Sequence, residues 1–228
     1  MTHVALITGG SRGIGRGIAE NLIADHDIAI TYNTTPPTAL IATYPNVLSL
    51  QADLADPKSP ADIIAQVIHR FGRLDVLVNN AGSLLTDAED RGQNHAINIA
   101  APMALLDAAL PHLKEGASII NISSVNAALP AMGAVSYSAS KAALDTWTRG
   151  MAKTLGPKGI RVNGVAPGAI ERSESPRPPD LVKAFVDMTA LGRSGVPEDI
   201  AKVVRFLASD QSGFITGETI TVSGGYRL

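Results

Sequence analysis

Tyr137 and Lys141 stand four residues apart in Tyr137-Ser138-Ala139-Ser140-Lys141, and Ala142, Ala143, Leu144 and Trp147 continue the stretch with helical spacing. Side chains four apart on a helix project from one face. A free phenol ionises only near pH ~10, and a neighbouring ammonium favours its phenolate. The two residues therefore form a candidate acid/base pair. Alone, such a pair reads better as an exposed Tyr and a solvated Lys on a helix surface, so the rest of the chain has to decide.

A second constellation opens the chain. Thr8-Gly9-Gly10-Ser11-Arg12-Gly13-Ile14-Gly15 follows an apolar run and leads into the helical pattern Ile18, Ala19, Leu22, Ile23. Glycines between a strand and a helix permit a tight turn, let backbone amides approach a pyrophosphate, and leave the helix N-terminus facing that negative charge. Asp53, with Leu54 beside it, follows the third apolar run and is placed to accept a hydrogen bond from an adenine amino group. Asn79-Asn80-Ala81-Gly82 ends the fourth run, where open α/β sheets bind ligands. Taken singly, Asp53 is also a plausible cap and Asn-Ala-Gly a plain turn.

The elements that must position these residues are legible as a rhythm. Short β-branched runs fall at Val4–Thr8, Ile28–Tyr32, Val47–Gln51, Leu74–Asn79, Ser118–Ile122, Ile160–Val165 and Thr219–Val222, with helical periodicity between most of them. Continuous rather than alternating apolar strands imply a sheet covered on both faces. The expected fold is α/β, a Rossmann-type doubly wound parallel sheet of about seven strands with helices on both faces, forming one dinucleotide-binding and catalytic domain over residues 1–228. Ser59-Pro60 reads as a helix start and Gly72 as its stop, with Ile63, Ile64, Val67, Ile68 and Phe71 as the buried stripe. Another helix starts near Pro197, with Ile200, Val203, Val204 and Leu207 at helical spacing.

Composition narrows the partners. The chain is 45% hydrophobic and 18% charged with a net charge of −2, which suits a packed core and offers no basic footprint for nucleic acid or an anionic membrane. No run reaches the ~18 apolar residues of a membrane span, and no basic leader precedes Val4, so a cytoplasmic protein is expected. With no cysteine, thiol nucleophiles and thiolate metal sites are excluded. The histidines His3, His26, His69, His95 and His112 are scattered without ligand spacing, and no metal is expected.

The glycine turn, Asn79–Gly82, a serine thirteen residues ahead of the Tyr-Lys pair and Pro167-Gly168 after the sixth run occur together and in that order. With these motifs the chain resembles the short-chain dehydrogenase/reductase family from Val4 to Gly225, and within it the members that include 3-oxoacyl-carrier-protein reductases. The resemblance implies that Tyr137 is the acid/base, that Lys141 holds the nicotinamide ribose and lowers the tyrosine pKa, and that Ser124 orients the substrate, with Ser123 as rival. It implies that Asn98, through its backbone, holds a water linking Lys141 to solvent. Pro167, Gly168 and Ile170 are implied to flank the nicotinamide. Two departures stand out. Arg172 with Ser173 occupies the place where many members have a Thr that touches the carboxamide. The stretch from Gly82 to Asn98 is short, which should shorten the helix before Asn98 and reshape one side of the site.

For the adenosine end, the second run closes on Tyr32-Asn33-Thr34-Thr35 without the carboxylate that would accept a ribose 2′-hydroxyl and repel a 2′-phosphate, while Arg12 can pair with a phosphate. NADP(H) is expected over NAD(H), held by Gly9, Ser11, Arg12, Gly13, Ile14, Gly15, Asn33, Asp53, Leu54, Asn80, Ala81, Gly82, Tyr137, Lys141, Pro167, Gly168 and Ile170. The polar, proline-rich Glu171–Asp180 and the helical Leu181–Met188 fall within an expected substrate lid around residues 169–195. The expected substrate is a small carbonyl or alcohol compound. A homo-oligomer, dimer or tetramer, is implied by the resemblance, with Ala142–Met151 and Ile215–Leu228 as candidate contact surfaces. The competing reading is a non-catalytic dinucleotide sensor or scaffold.

Overall fold

The computed structural model of the chain describes residues 2–226. Seven strands form one sheet: β1 (His3–Ile7), β2 (His26–Tyr32), β3 (Leu48–Gln51), β4 (Val76–Asn79), β5 (Ser118–Ile122), β6 (Arg161–Pro167) and β7 (Thr219–Val222). Their spatial order is β3-β2-β1-β4-β5-β6-β7 and every neighbouring pair is parallel. The order reverses between β1 and β4, where Ile7 lies beside both Ile30 of β2 and Val78 of β4. Crossovers leave this sheet in opposite directions from that point, which opens a crevice at the strands' carboxyl ends.

Why the strands read as unbroken apolar runs is visible in β1. Ala5 and Ile7 pack on one face with Ile18, Leu22, Ile200 and Val204, from α1 (Gly13–Leu22) and α8 (Pro197–Ala208). Val4 and Leu6 pack on the other face with Ile63, Val67, Leu105 and Leu155, from α3 (Ser59–Phe71), α5 (Ala101–Ala109) and α6 (Val135–Leu155). Both faces are dry, so neither position of the two-residue repeat can be polar.

Most of the differences from expectation lie at element ends. Ser59 sits just inside α3 and Lys58 takes the cap position, while Gly72 ends the helix in the left-handed region at φ +73° as expected. A short α2 (Thr38–Thr43) fills the β2–β3 connection. The segment expected as a lid is irregular over residues 171–178 and then forms α7 (Pro179–Asp187), none of whose residues is fully buried. Between Gly82 and α4 (Gln93–His95) there is no helix at all, so the short connection has the effect its length implied. Arg227 and Leu228, part of one candidate contact surface, lie outside the described residues. Among the described residues no helix is long and apolar enough to cross a membrane, and no cluster of three or more His, Asp or Glu gathers.

Candidate active site

The crevice at the switch point is a cleft of roughly 680 Å³ that runs from Asn33–Thr35 and Asp53 past the glycine turn to Tyr137 and Lys141. All seventeen residues expected to hold a dinucleotide line it, from Gly9, Ser11, Arg12, Gly13, Ile14 and Gly15 through Asn33, Asp53, Leu54, Asn80, Ala81 and Gly82 to Pro167, Gly168 and Ile170. Tyr137 and Lys141 come from α6 and the other fifteen from the ends of β1, β2, β3, β4 and β6, which is what a parallel sheet with a switch point gathers.

At one end the cleft is built by backbone. Gly13, at the start of α1, has φ +55°, a conformation that costs other residues strain. Gly15 is required by space, because a Cβ there would lie 2.2 Å from the Gly9 carbonyl oxygen and 2.4 Å from Asn80 Nδ2. The turn is a cradle that side chains would fill, and it leaves the first N–H groups of α1 facing the cleft. Thr8 and Asn80 brace it from below. Asn80 Nδ2 donates to the carbonyls of Thr8 (2.8 Å) and Gly9 (3.1 Å), and Thr8 Oγ1 accepts from the N–H of Asn80 (3.0 Å) and of Ala81 (2.9 Å). Asn80 therefore shapes the cradle with its amide. Asn79 points away from the cleft and donates to Asn121 Oδ1 at 2.8 Å, tying β4 to β5. Asp53 remains in the wall, with one carboxylate oxygen accepting from the Ala55 N–H at 2.9 Å.

At the other end the cleft is built by buried side chains. Tyr137 and Lys141 lie in the first two turns of α6, which starts two residues before Tyr137. Lys141 is 4% exposed; its Nζ donates to the Ile122 carbonyl at 2.8 Å and sits 6.0 Å from the Tyr137 ring centroid. Burial lowers its pKa to about 8, opposed by the carboxylate of Asp145 one turn further along α6. The Tyr137 phenol is pushed up from its usual value by burial, with hydrogen bonding from Ser124 acting the other way. The resemblance implied a lowering by Lys141; in the protein alone the shift runs the other way, set by burial, and the phenol keeps its proton at neutral pH.

Ser124 and Asn98 adjoin the cleft without forming its wall. Ser124 Oγ accepts from the Asn126 N–H at 3.1 Å and is 8% exposed, whereas Ser123 reaches the wall and its buried hydroxyl has no partner among the described residues. Asn98 falls within a π-helical turn, Ala96–Ala100, between α4 and α5. Its side chain is fully engaged: Oδ1 accepts from the Ser83 N–H (2.9 Å), and Nδ2 donates to the Ser83 carbonyl (2.8 Å) and to Ser140 Oγ (2.9 Å). The wide turn takes its carbonyls out of the ordinary helical register, as π-bulges at functional sites commonly do. Gly82 completes the corner, where a Cβ would approach Asn98 Oδ1 at 3.2 Å and Lys141 Nζ at 3.6 Å.

Residues that the sequence reading did not single out also enter the site. Asp145 sets part of the charge around Lys141. Thr8 fixes the NAG turn. Arg172, noted only as a departure, lies directly over the glycine turn, with its Cδ 3.0 Å from where a Gly13 Cβ would be. Phe185 of α7 and Tyr226, 5.9 Å apart and edge to face, line the side of the cleft.

The family model described as "Enoyl-(Acyl carrier protein) reductase" matches residues 9–227. The 3-oxoacyl-[acyl-carrier-protein] reductase FabG of Staphylococcus aureus is 36% identical over 244 aligned positions, covering 100% of this chain and 99% of its own. Among solved structures, a blue fluorescent protein from a metagenomic library in complex with NADPH superposes with a TM-score of 0.93 at 37% identity, over 99% of this chain and 98% of its own. A short chain dehydrogenase from Burkholderia cenocepacia in complex with NADP gives a TM-score of 0.93 at 35% identity with the same coverage.

Proposed function

The chain belongs to the short-chain dehydrogenase/reductase family of oxidoreductases, and from that premise we propose that it is an NADP(H)-dependent reductase of a ketone, with a 3-oxoacyl thioester among the candidates and Tyr137 as proton donor. The observation that carries this reading is the placement of a protonated, buried phenol and a buried ammonium in the wall of the same cleft as a glycine cradle.

The residues fit a dinucleotide. The cradle offers bare N–H groups to a pyrophosphate, and Arg12 and Arg172 flank it. No carboxylate stands among Tyr32, Asn33, Thr34 and Thr35, so a 2′-phosphate meets no repulsion there and Arg12 can pair with it. The two related structures that hold NADPH and NADP favour the same cofactor. When bound, the reduced nicotinamide supplies a hydride to the carbonyl carbon.

The chain's own groups then have separable tasks. Ser124 hydrogen-bonds the carbonyl oxygen and fixes the face presented to the cofactor. Tyr137 donates its proton to that oxygen as negative charge develops, a contribution of ~10²–10⁴ in rate for a positioned acid. Lys141 holds the nicotinamide ribose, and its charge offsets that of the tyrosinate left behind. Asn98, through the carbonyls of its widened turn, holds the water that returns a proton towards Lys141 from solvent. Residues 169–195 act as a lid over the substrate within a single 1–228 domain, and the protein works in the cytoplasm as a homo-oligomer, dimer or tetramer; light scattering tests the assembly.

The test is a panel of ketones, quinones and 3-oxoacyl thioesters assayed by the fall in NADPH absorbance and repeated with NADH. Turnover of a ketone with NADPH at higher kcat/KM than with NADH is expected. Equal or better efficiency with NADH contradicts the cofactor assignment, and NADPH binding without turnover of any carbonyl contradicts the reductase reading.

A further inference from the structure

The connection from Gly82 to α4, unusually short, lies across the start of α6. It is fastened there in three places. Asn98 grips the backbone of Ser83 at both its N–H and its carbonyl and reaches Ser140 Oγ. One helical turn earlier Asn94 repeats the arrangement: Oδ1 accepts from the Leu85 N–H at 3.0 Å, and Nδ2 donates to the Leu85 carbonyl at 3.0 Å and to Ser136 Oγ at 2.9 Å. Both asparagines are 0% exposed. Beyond Leu85, the carboxylate of Asp87 accepts from the N–H groups of Val135 (3.1 Å) and Ser136 (2.9 Å), while the Asp87 N–H donates to the Gly133 carbonyl at 2.9 Å.

Val135 and Ser136 are the first residues of α6, and their N–H groups have no partner within the helix. The residue that should cap them, Ala134, has no side chain able to do so. The cap comes instead from 48 residues away in the sequence. A carboxylate suits the place, since it satisfies two donors and lies at the positive end of the helix dipole. Hydrogen bonds from Ser136 and Val135 hold the Asp87 pKa below the usual carboxylate range. Ser136, the neighbour of Tyr137, is thus held by its N–H from Asp87 and by its hydroxyl from Asn94.

We propose that Asp87 and Asn94 are positioning residues for Tyr137, which hold the first turn of α6 so that the phenol meets the substrate oxygen. Neither side chain forms the wall of the cleft, so both act through Ser136 and the helix start. This inference rests on the reading of Tyr137 as proton donor. Small displacements of a reacting group suffice to slow a reaction strongly.

Asp87 is exposed, so its replacement leaves the core intact. Asp87→Ala is expected to lower kcat for ketone reduction about tenfold, with the NADPH dissociation constant, read by fluorescence titration, within about twofold of wild type. Asp87→Asn, which keeps one acceptor oxygen, should recover most of the loss. In a Tyr137→Phe background, Asp87→Ala should change the residual rate by less than about twofold, because the group being positioned is gone. Ser136→Ala, which removes only the hydroxyl held by Asn94, is expected to lower kcat about threefold and reads the same device if Asp87→Ala does not fold. Wild-type kcat in both Asp87→Ala and Ser136→Ala overturns the proposal, as does an equal further loss in the Tyr137→Phe background. A fully active Tyr137→Phe enzyme instead removes the reading of Tyr137 on which the proposal stands.

Discussion

The end of the cleft proposed for the phosphates and the end proposed for catalysis are built by different means. Around Gly9, Gly13 and Gly15 the wall is backbone, and the nearby cations Arg12 and Arg172 are exposed and make no ion pair among the described residues. Around Tyr137 the cleft is set by side chains: Tyr137 and Lys141 in its wall and Asn98 and Asn94 behind it are each at least nine-tenths buried, and Lys141, Asn98 and Asn94 are tied to partners 2.8–3.0 Å away. Exposed, unpaired charge can adapt to a ligand's phosphates with little reorganisation of the fold. A buried acid must be held in advance, because its proton transfer depends on geometry. The difference implies that substitutions at the two ends should separate affinity from turnover.

Lys141 is assigned both to holding the nicotinamide ribose and to the chemical step, and its removal should break the separation. Lys141→Ala is expected to lower kcat at least ~10²-fold and also to weaken NADPH binding, measured by steady-state kinetics alongside fluorescence titration. Unchanged NADPH affinity would confine the lysine to the chemical step. Gly15→Ala acts at the phosphate end only. The new methyl meets the Gly9 carbonyl and the Asn80 amide, and overpacking of that kind costs about 1–3 kcal/mol, so NADPH affinity should fall by about tenfold or more while saturated turnover changes little.

Arg12→Ala should be gentler and selective. A charge-assisted hydrogen bond contributes roughly 1.5–3 kcal/mol, so NADPH binding should weaken about tenfold with NADH nearly unaffected, and the wild-type preference should shrink with added salt. Equal weakening of both cofactors would move Arg12 from the 2′-phosphate to the pyrophosphate. The smallest effect is one of pH. Burial brings Lys141 to about pH 8 and Asp145 opposes that lowering. Activity that needs the ammonium is present below about pH 8 and is lost as pH rises through it, which kcat/KM reports for the free enzyme. In Asp145→Asn that alkaline limb should move to lower pH; a shift to higher pH would contradict the charge arrangement.

How much of this the sequence carried follows from the kind of contact involved. The strands were legible because β1, β4 and β5 are buried on both faces and carry apolar side chains at nearly every position, as in Val4–Ile7, their buried polar members Asn79, Ser118 and Asn121 being hydrogen-bonded. Ends were not, since His3 and His26 extend their strands by pairing with each other rather than by hydrophobicity. The glycine turn was legible because its requirement is local. Tyr137 and Lys141 were found by helical spacing, and Ser124 and Asn98 only through family resemblance. Asp87 and Asn94 belong to Asp87-Ala88-Glu89-Asp90-Arg91-Gly92-Gln93-Asn94, which reads as a solvated loop, yet each acts on α6 across more than forty residues. Asp145 reads as a surface acid for the same reason. Lys141 is its neighbour on the same helix, but Thr219 of β7 meets it only once the sheet has formed.

In the proposed mechanism Tyr137 donates a proton, a role that binding at the phosphate end does not need. The most direct test measures, on one preparation of Tyr137→Phe, the NADPH dissociation constant by titration and the hydride step by single-turnover stopped flow with a ketone that the wild type reduces. The structure predicts affinity within about threefold of wild type and a hydride step slowed by at least ~10²-fold. A hydride step at the wild-type rate, or affinity lost in proportion to turnover, would contradict it.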